Sequence, residues 1–148
     1  LFNSDLKSWN VSRVTDMAYM FSGAYAFQAE IGSWDVSSVI DMTQMFLNTG
    51  AFNGNISSWD VSNVESISYM FYQAKKFNGD IGKWNVSKVT NMNSILEGAS
   101  SFNQNLCEWG DRVNVSRINA SDLFYESGCK VTTDPSFGGS SWCQVCAF

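Results

Sequence analysis

Five phenylalanines stand 25 residues apart, at Phe2, Phe27, Phe52, Phe77 and Phe102, and five tryptophans keep the same step at Trp9, Trp34, Trp59, Trp84 and Trp109. A fixed period of this size admits few folds, because one such unit cannot bury its own apolar face and must stack on its neighbours. The unit from Phe52 to Phe71 shows the rest of the pattern: Phe-Asn, then Ile56, Trp59, Asp60, Val61, Ser62 and Val64, closing on Ile67, Met70 and Phe71.

The Ile56-x-x-Trp59-x-Val61 spacing matches the Leu-x-x-Leu-x-Leu of a leucine-rich repeat. Alternation of Trp59 and Val61 about an outward Asp60 predicts a short parallel strand. Val64, Ile67, Met70 and Phe71 recur at three and four residues, which predicts a short helix, with Ser62 as N-cap and Glu65 completing a capping box. The expected fold class is thus an α/β repeat solenoid of 25-residue coils, each a short strand plus a short helix. At ~4.8 Å per coil its five coils span about 24 Å. Residues 1–106 hold four repeats and the start of the fifth, and residues 107–148 hold the degenerate fifth repeat and a C-terminal cap. In that fifth repeat Gly110-Asp111-Arg112-Val113 reads as a four-residue insertion, with about one residue lost before Leu123-Phe124.

The inward columns assign most of the core. Trp in every unit and Met17, Met42, Met70 and Met92 are expected to face it, the methionines as adaptable filler. Asn3, Asn53, Asn78 and Asn103, each beside a Phe, are expected to form a buried or half-buried amide ladder that satisfies turn backbone groups. No N-terminal cap is visible, so Phe2, Leu6 and Trp9 are expected on an open end. Either further repeats precede Leu1, in a chain that reads as a mature or trimmed product, or another molecule covers that end.

The chain carries 9 basic and 14 acidic residues, a net charge of −5, and gathers Lys and Arg nowhere. Without a basic footprint a nucleic-acid partner is disfavoured, and so is an anionic membrane surface. No apolar run reaches the roughly 20 residues of a membrane span, so no insertion by this segment is expected. There is no histidine. Ser-His and Cys-His pairs and imidazole metal ligands are therefore unavailable, and acid pairs such as Asp16/Asp41 or Asp5/Glu30 recur only because the repeat forces them. The chain reads as no enzyme, with no cofactor and no metal.

The phrases Trp9 to Phe21 (Trp-Asn-Val-Ser-Arg-Val-Thr-Asp-Met-Ala-Tyr-Met-Phe) and Phe77 to Ser87 (Phe-Asn-Gly-Asp-Ile-Gly-Lys-Trp-Asn-Val-Ser) resemble the BspA-like leucine-rich-repeat surface protein family over residues 1 to about 106. The tail, with Leu106 to Gly110, Ser127-Gly128-Cys129 and Trp142-Cys143-x-x-Cys146, is similar to the terminal segment of members from eukaryotic microbes such as algae. The resemblance implies an extracellular or cell-surface protein used in adhesion or assembly, and brings no catalytic residues with it.

Three sets of candidate site residues follow. Cys107, Cys129, Cys143 and Cys146 are expected to form two disulfides that cross-link the irregular terminal segment. Three pairings are open, and the reading leans to Cys107–Cys143 with Cys129–Cys146. A zinc site on the same four sulfurs is the alternative. Asn10, Asn55, Asn85, Asn114 and Asn119 head Asn-x-Ser sequons and are the N-glycosylation candidates. Asn10, Asp35, Asp60, Asn85 and Asn114 occupy one outward slot and are expected to form an exposed strand-face ladder, in which adjacent Asp35 and Asp60 repel and offer oxygen to Ca²⁺ less readily than to solvent. The expected function is an extracellular or cell-surface module with a recognition or adhesion surface for protein or glycan. The alternative is a self-assembling subunit of a filament or sheath, joined through the open N-terminal end.

Overall fold

In the computed structural model, residues 3–113, 117–135 and 141–146 are described. Each coil is a chain of tight turns. The first closes with the Trp amide donating to the Leu or Ile carbonyl three residues back (Trp34 to Ile31, Trp59 to Ile56, Trp84 to Ile81, at 3.1–3.2 Å). The second closes on valine (Val39 to Val36, Val64 to Val61, Val89 to Val86, at 2.9–3.0 Å). Both turns bury their first and last side chains and, Gly82 apart, leave the two residues between them at least partly at the surface, so apolar residues three apart settle inward without any helix.

The coils are then tied together along the next eight or nine residues. Isolated parallel bridges run Asp16 to Asp41 to Ser66 to Asn91 to Asn119, linking five coils in register. From each bridge, alternate amides donate to the following coil: Met42 to Ser66, Gln44 to Ser68, Phe46 to Met70 and Asn48 to Tyr72, at 2.8–3.0 Å. The amides between them close three-residue turns within their own coil (Met45 to Met42, Leu47 to Gln44, Thr49 to Phe46). Positive φ recurs in two columns. One is Tyr19, Gln44, Tyr69, Ser94 and Asp122, and the other is Gly23, Asn48, Gln73, Gly98 and Glu126. These left-handed residues stop each turn from continuing as a helix and swing the next amide toward the neighbouring coil. Side-chain-bearing residues adopt that conformation at roughly 1–2 kcal/mol each, a strain that the intercoil hydrogen bonds hold in place. Glycine removes the strain at Gly23 and Gly98. At Gly98 a Cβ would also fall on the Gln73 amide, whereas at Gly23 it would meet open space.

This corrects the expected fold class. The coils are not strand-plus-helix units, and the chain is not an α/β solenoid of leucine-rich-repeat type. Among the described residues the helix is α1 (Cys107–Arg112), and the strands are β1 (Ser141–Trp142) and β2 (Gln144–Val145), paired antiparallel with Ser141 opposite Val145 and Trp142 opposite Gln144. The expected strand at Trp59-Asp60-Val61 makes no intercoil pairing, and the intercoil pairing lies where a helix was expected, over residues 65–73. Ser62 caps nothing; its own amide donates to Asp60 Oδ1 at 3.0 Å, and the Glu65 amide donates to the Ile40 carbonyl at 2.8 Å.

The core is a set of columns. Phe27, Phe52, Phe77 and Phe102 stack at 5.6–5.9 Å between ring centroids, beside a second column of Phe21, Phe46 and Phe71 at 5.5–5.6 Å. Met17, Met42, Met70 and Met92 are buried. Trp34, Trp59, Trp84 and Trp109 are 5%, 4%, 1% and 0% exposed, and each donates its indole N–H to a carbonyl of the preceding coil (Leu6, Ile31, Ile56, Ile81) at 3.0–3.2 Å. Trp9 departs from the column at 49% exposed, although it still stacks on Trp34 at 6.3 Å. Leu6, expected on the open end, is buried, and Phe2 lies outside the described residues.

Candidate functional site

The outward slot is exposed at Asn10, Asp35, Asp60 and Asn85; Asn114 lies outside the described residues. Its residues do not ride on a strand. Each side-chain oxygen accepts the amide two residues on: Ser12 to Asn10 at 3.2 Å, Ser37 to Asp35 at 3.1 Å, Ser62 to Asp60 at 3.0 Å and Ser87 to Asn85 at 3.3 Å. Short polar side chains suit this local closure of a turn, which is why only Asn and Asp fill the slot. The Ser37 hydroxyl and amide hold the Asp35 carboxyl below the usual carboxylate range, and Ser62 does the same for Asp60 against the opposing effects of burial and of the Asp35 charge. Asp16 and Asp41 close the following turn in the same way, accepting the amides of Ala18 and Thr43 at 2.8 Å.

Among the sequons, Asn10, Asn55, Asn85 and Asn119 are exposed, and Asn114 again lies outside the described residues. At Asn10 and Asn55 the sequon serine also donates its hydroxyl to the Asn Oδ1, at 2.7 and 2.8 Å. The Asn3, Asn53, Asn78 and Asn103 ladder is exposed rather than buried or half-buried. It does tie coil to coil: Asn3 Oδ1 accepts the Gln28 amide, Asn53 Oδ1 that of Asn78 and Asn78 Oδ1 that of Asn103, at 2.8–2.9 Å. An oxygen at the rim bonds the next amide without leaving water, so burial is not needed for the task.

The C-terminal end is closed. α1 runs from the end of the regular repeat into the inserted residues; it buries Trp109, and Arg112 Nη1 donates to the Lys83 and Trp84 carbonyls at 2.8 and 2.6 Å. Hydrogen bonding from Lys83, with Arg112 adding to it, holds the Glu108 carboxyl below its usual range. Asp134 reaches across the last coil, and its two oxygens accept the amides of Asp122 and Leu123 at 2.8 Å. The disulfides are Cys107–Cys146 and Cys129–Cys143, which corrects the pairing read from sequence. The reason is the hairpin of β1 and β2. It turns at Cys143 (φ 66), places the Cys143 carbonyl on the Val131 amide at 3.2 Å, and sends the chain back toward α1 by Cys146. All four sulfurs that the zinc alternative needs are bonded to one another.

The N-terminal end is the reverse. The hydrogen bonds that alternate amides make between coils point one way over residues 17–23 and their counterparts: these amides donate toward the C-terminus, and the carbonyls accept from the N-terminal side. The first coil therefore donates from Met17, Tyr19, Phe21 and Gly23 to Asp41, Thr43, Met45 and Leu47. Its own row of acceptors, the carbonyls of Asp16, Ala18, Met20 and Ser22, receives no backbone donor among the described residues. The Trp9 indole N–H likewise has no counterpart of the Leu6–Ile81 acceptors within those residues. Beside that row Trp9, Met20, Phe21, Ser22 and Ala24 line a mainly apolar hollow of about 300 Å³. Sequence reasoning placed an open end here but missed the acceptor row, because it is made of backbone and no residue type marks it.

No helix among the described residues is long and apolar enough to cross a membrane. No curated protein and no solved structure matches the chain. A family model described as "Mycoplasma protein of unknown function, DUF285" matches residues 1–128. The repeat region and its extension to the end of the last coil thus place the chain in that family: it belongs to the DUF285 proteins.

Proposed function

We propose that the chain is a non-catalytic recognition module of the cell exterior, whose exposed turn column meets a protein or glycan. The observation that carries this reading is the column itself: four exposed turns closed by Asn10, Asp35, Asp60 and Asn85, one per coil on a continuous apolar core. An array of identical turns at fixed spacing favours a repeating or extended ligand over a small molecule in a pocket. Two disulfides suit an oxidising compartment, and the resemblance of the repeat phrases to BspA-like surface proteins supports a role in adhesion.

The test is saturable binding of labelled protein to a panel of extracellular glycans and matrix proteins. The variant pair Ser33→Arg with Ser58→Arg places bulk beside the column at exposed positions. Binding that is lost in this variant, with an unchanged melting curve, supports the reading. Hydrolysis of a panel member that disappears with a single Asp substitution would replace it by an enzyme.

A second reading is favoured by the half-exposed Trp9 and the unfilled acceptor row: the N-terminal end is an assembly surface for an extracellular filament or sheath. Electron microscopy of the protein over a concentration series separates the two readings, since a lone binding module gives no polymer.

A further inference from the structure

Four of the five tyrosines fall in two neighbouring columns, on the first, third and fifth coils. In one column Tyr19, Gln44 and Tyr69 are equivalent: each has positive φ and donates its amide to the following coil, to Thr43, Ser68 and Asn93. In the other Tyr72, Glu97 and Tyr125 are equivalent, their carbonyls accepting the amides of Asn48, Gln73 and Gly98. Over those three coils each column reads tyrosine, polar side chain, tyrosine. Tyr19, Tyr69 and Tyr125 are exposed, and Gln44, Tyr72 and Glu97 are partly so. Tyr69 has coils packed on both sides and is exposed all the same, so the exposure belongs to the column and not to an end of the stack. The two columns meet on the third coil, where the rings of Tyr69 and Tyr72 lie 5.8 Å apart at 59°.

Tyrosines two coils apart stand about 10 Å from each other at the separation of paired strands. Exposed rings of this kind meet partners that are apolar on one side and polar at the edge. Stacked nucleic-acid bases are disfavoured, because a chain of net charge −5 gathers no Lys or Arg to meet the phosphates. An extended peptide along the columns repeats its side chains on one face at about 7 Å, out of step with the rings. A peptide helix carries an unbroken apolar stripe and would set an apolar residue on Gln44 or Glu97. A β-1,4-linked chain of neutral hexoses with equatorial hydroxyls meets every condition. Its rings are flat, with C–H groups on their faces and hydroxyls at their edges. Successive sugars are flipped, so the same face returns every second sugar, close to the two-coil distance. One sugar per coil then sets a ring face on each tyrosine. The hydroxyls of the sugar between fall beside Gln44 or Glu97, whose carboxamide and carboxylate bond them. The Glu97 charge disfavours uronate or sulfate in the same place.

We propose that these two tyrosine columns bind an uncharged β-1,4-linked glycan along the axis of the stack, one sugar per coil. The site is not the turn column of Asn10, Asp35, Asp60 and Asn85, and it goes beyond the recognition surface placed there.

The test titrates the whole protein by calorimetry with cellohexaose and with maltohexaose, which holds the same sugar in a curved α-1,4-linked chain. Cellohexaose is expected to bind one to one, and maltohexaose to bind at least about tenfold more weakly. Tyr69→Ala with Tyr72→Ala should lower the affinity for cellohexaose by about tenfold or more. Tyr69→Phe with Tyr72→Phe keeps both rings and should stay within about threefold of the parent protein. Tyr125→Ala, a single exposed ring on another coil, repeats the test where the alanine pair fails to fold. Absence of cellohexaose binding overturns the proposal. So does equal affinity for the two hexasaccharides, or an affinity that a folded alanine variant leaves unchanged. If cellohexaose binding survives the alanine pair and is lost in Ser33→Arg with Ser58→Arg, the glycan sits on the turn column: this proposal fails and the recognition reading stands.

Discussion

The two ends of the stack are built from the same repeat and solve the same problem in opposite ways. At the C-terminal end the last coil's Trp109 is fully buried, Asp134 accepts two outward amides, and two disulfides pin the cover in place. At the N-terminal end Trp9 is half in water and four carbonyls look outward with no donor among the described residues. A repeat can be stacked indefinitely only if its two faces are complementary, and complementary faces cannot share one kind of cap. The C-terminal cover brings an acceptor to a face of donors. A cover for the other end has to bring donors.

The sharpest way to break this comparison is to truncate equivalent tryptophans. Trp109→Ala should cost about 3–5 kcal/mol in denaturant unfolding, and Trp9→Ala roughly 1–2, because half of its ring already meets water. Equal losses would mean that the first coil is as well covered as the last. Next in size is the covalent closure of the C-terminal end. Replacing Cys107 and Cys146 together by serine should cost about 2–5 kcal/mol, somewhat more than replacing Cys129 and Cys143. The first pair closes a sequence separation of 39 and the second one of 14. The change should leave Trp9 fluorescence as it is and shift that of Trp142.

Asp134→Ala should cost on the order of 1–2 kcal/mol by stranding the amides of Asp122 and Leu123, the loss typical of a removed helix cap. Amide exchange should speed up at those two residues and not in the first coil. The smallest effect is acid sensitivity. Asp35, Asp60 and Glu108 are held below their unfolded range, so the stability they lend is complete above the unfolded carboxylate value and is lost as pH falls through the lower folded one. Stability should therefore decline below about pH 4. The double variant Asp35→Asn with Asp60→Asn, which copies the Asn10 and Asn85 turns, should flatten that decline, and a melting series from pH 2 to 6 would show it.

Much of this was readable from the residues. The period fixed the number of coils, the inward columns and the break after Trp109, and the bridge from Asn91 to Asn119 carries the extra residues where the insertion was placed. The local structure was misread for a physical reason. Val64, Ile67, Met70 and Phe71 are all buried at three- and four-residue steps, but repeated three-residue turns bury the same positions as a helix does. What separates the two is positive φ at Tyr69 and Gln73, which neither tyrosine nor glutamine announces; only Gly23 and Gly98, in the column of Gln73, hint at it. In the candidate site, the exposure of Asn10, Asp35, Asp60 and Asn85 followed from alternation, whereas their role in closing turns depended on backbone not visible in the pattern. The disulfide partners were hidden because a hairpin apex at Cys143 decides them.

The central claim is that alternate amides over residues 17–23 and their counterparts donate to the following coil. Scalar couplings across hydrogen bonds, measured by NMR on isotopically labelled protein, report donor and acceptor directly. The account predicts couplings from the amide nitrogens of Gln44, Phe46 and Asn48 to the carbonyl carbons of Ser68, Met70 and Tyr72. Couplings from those nitrogens to carbonyls four residues earlier would show helices in their place and contradict it.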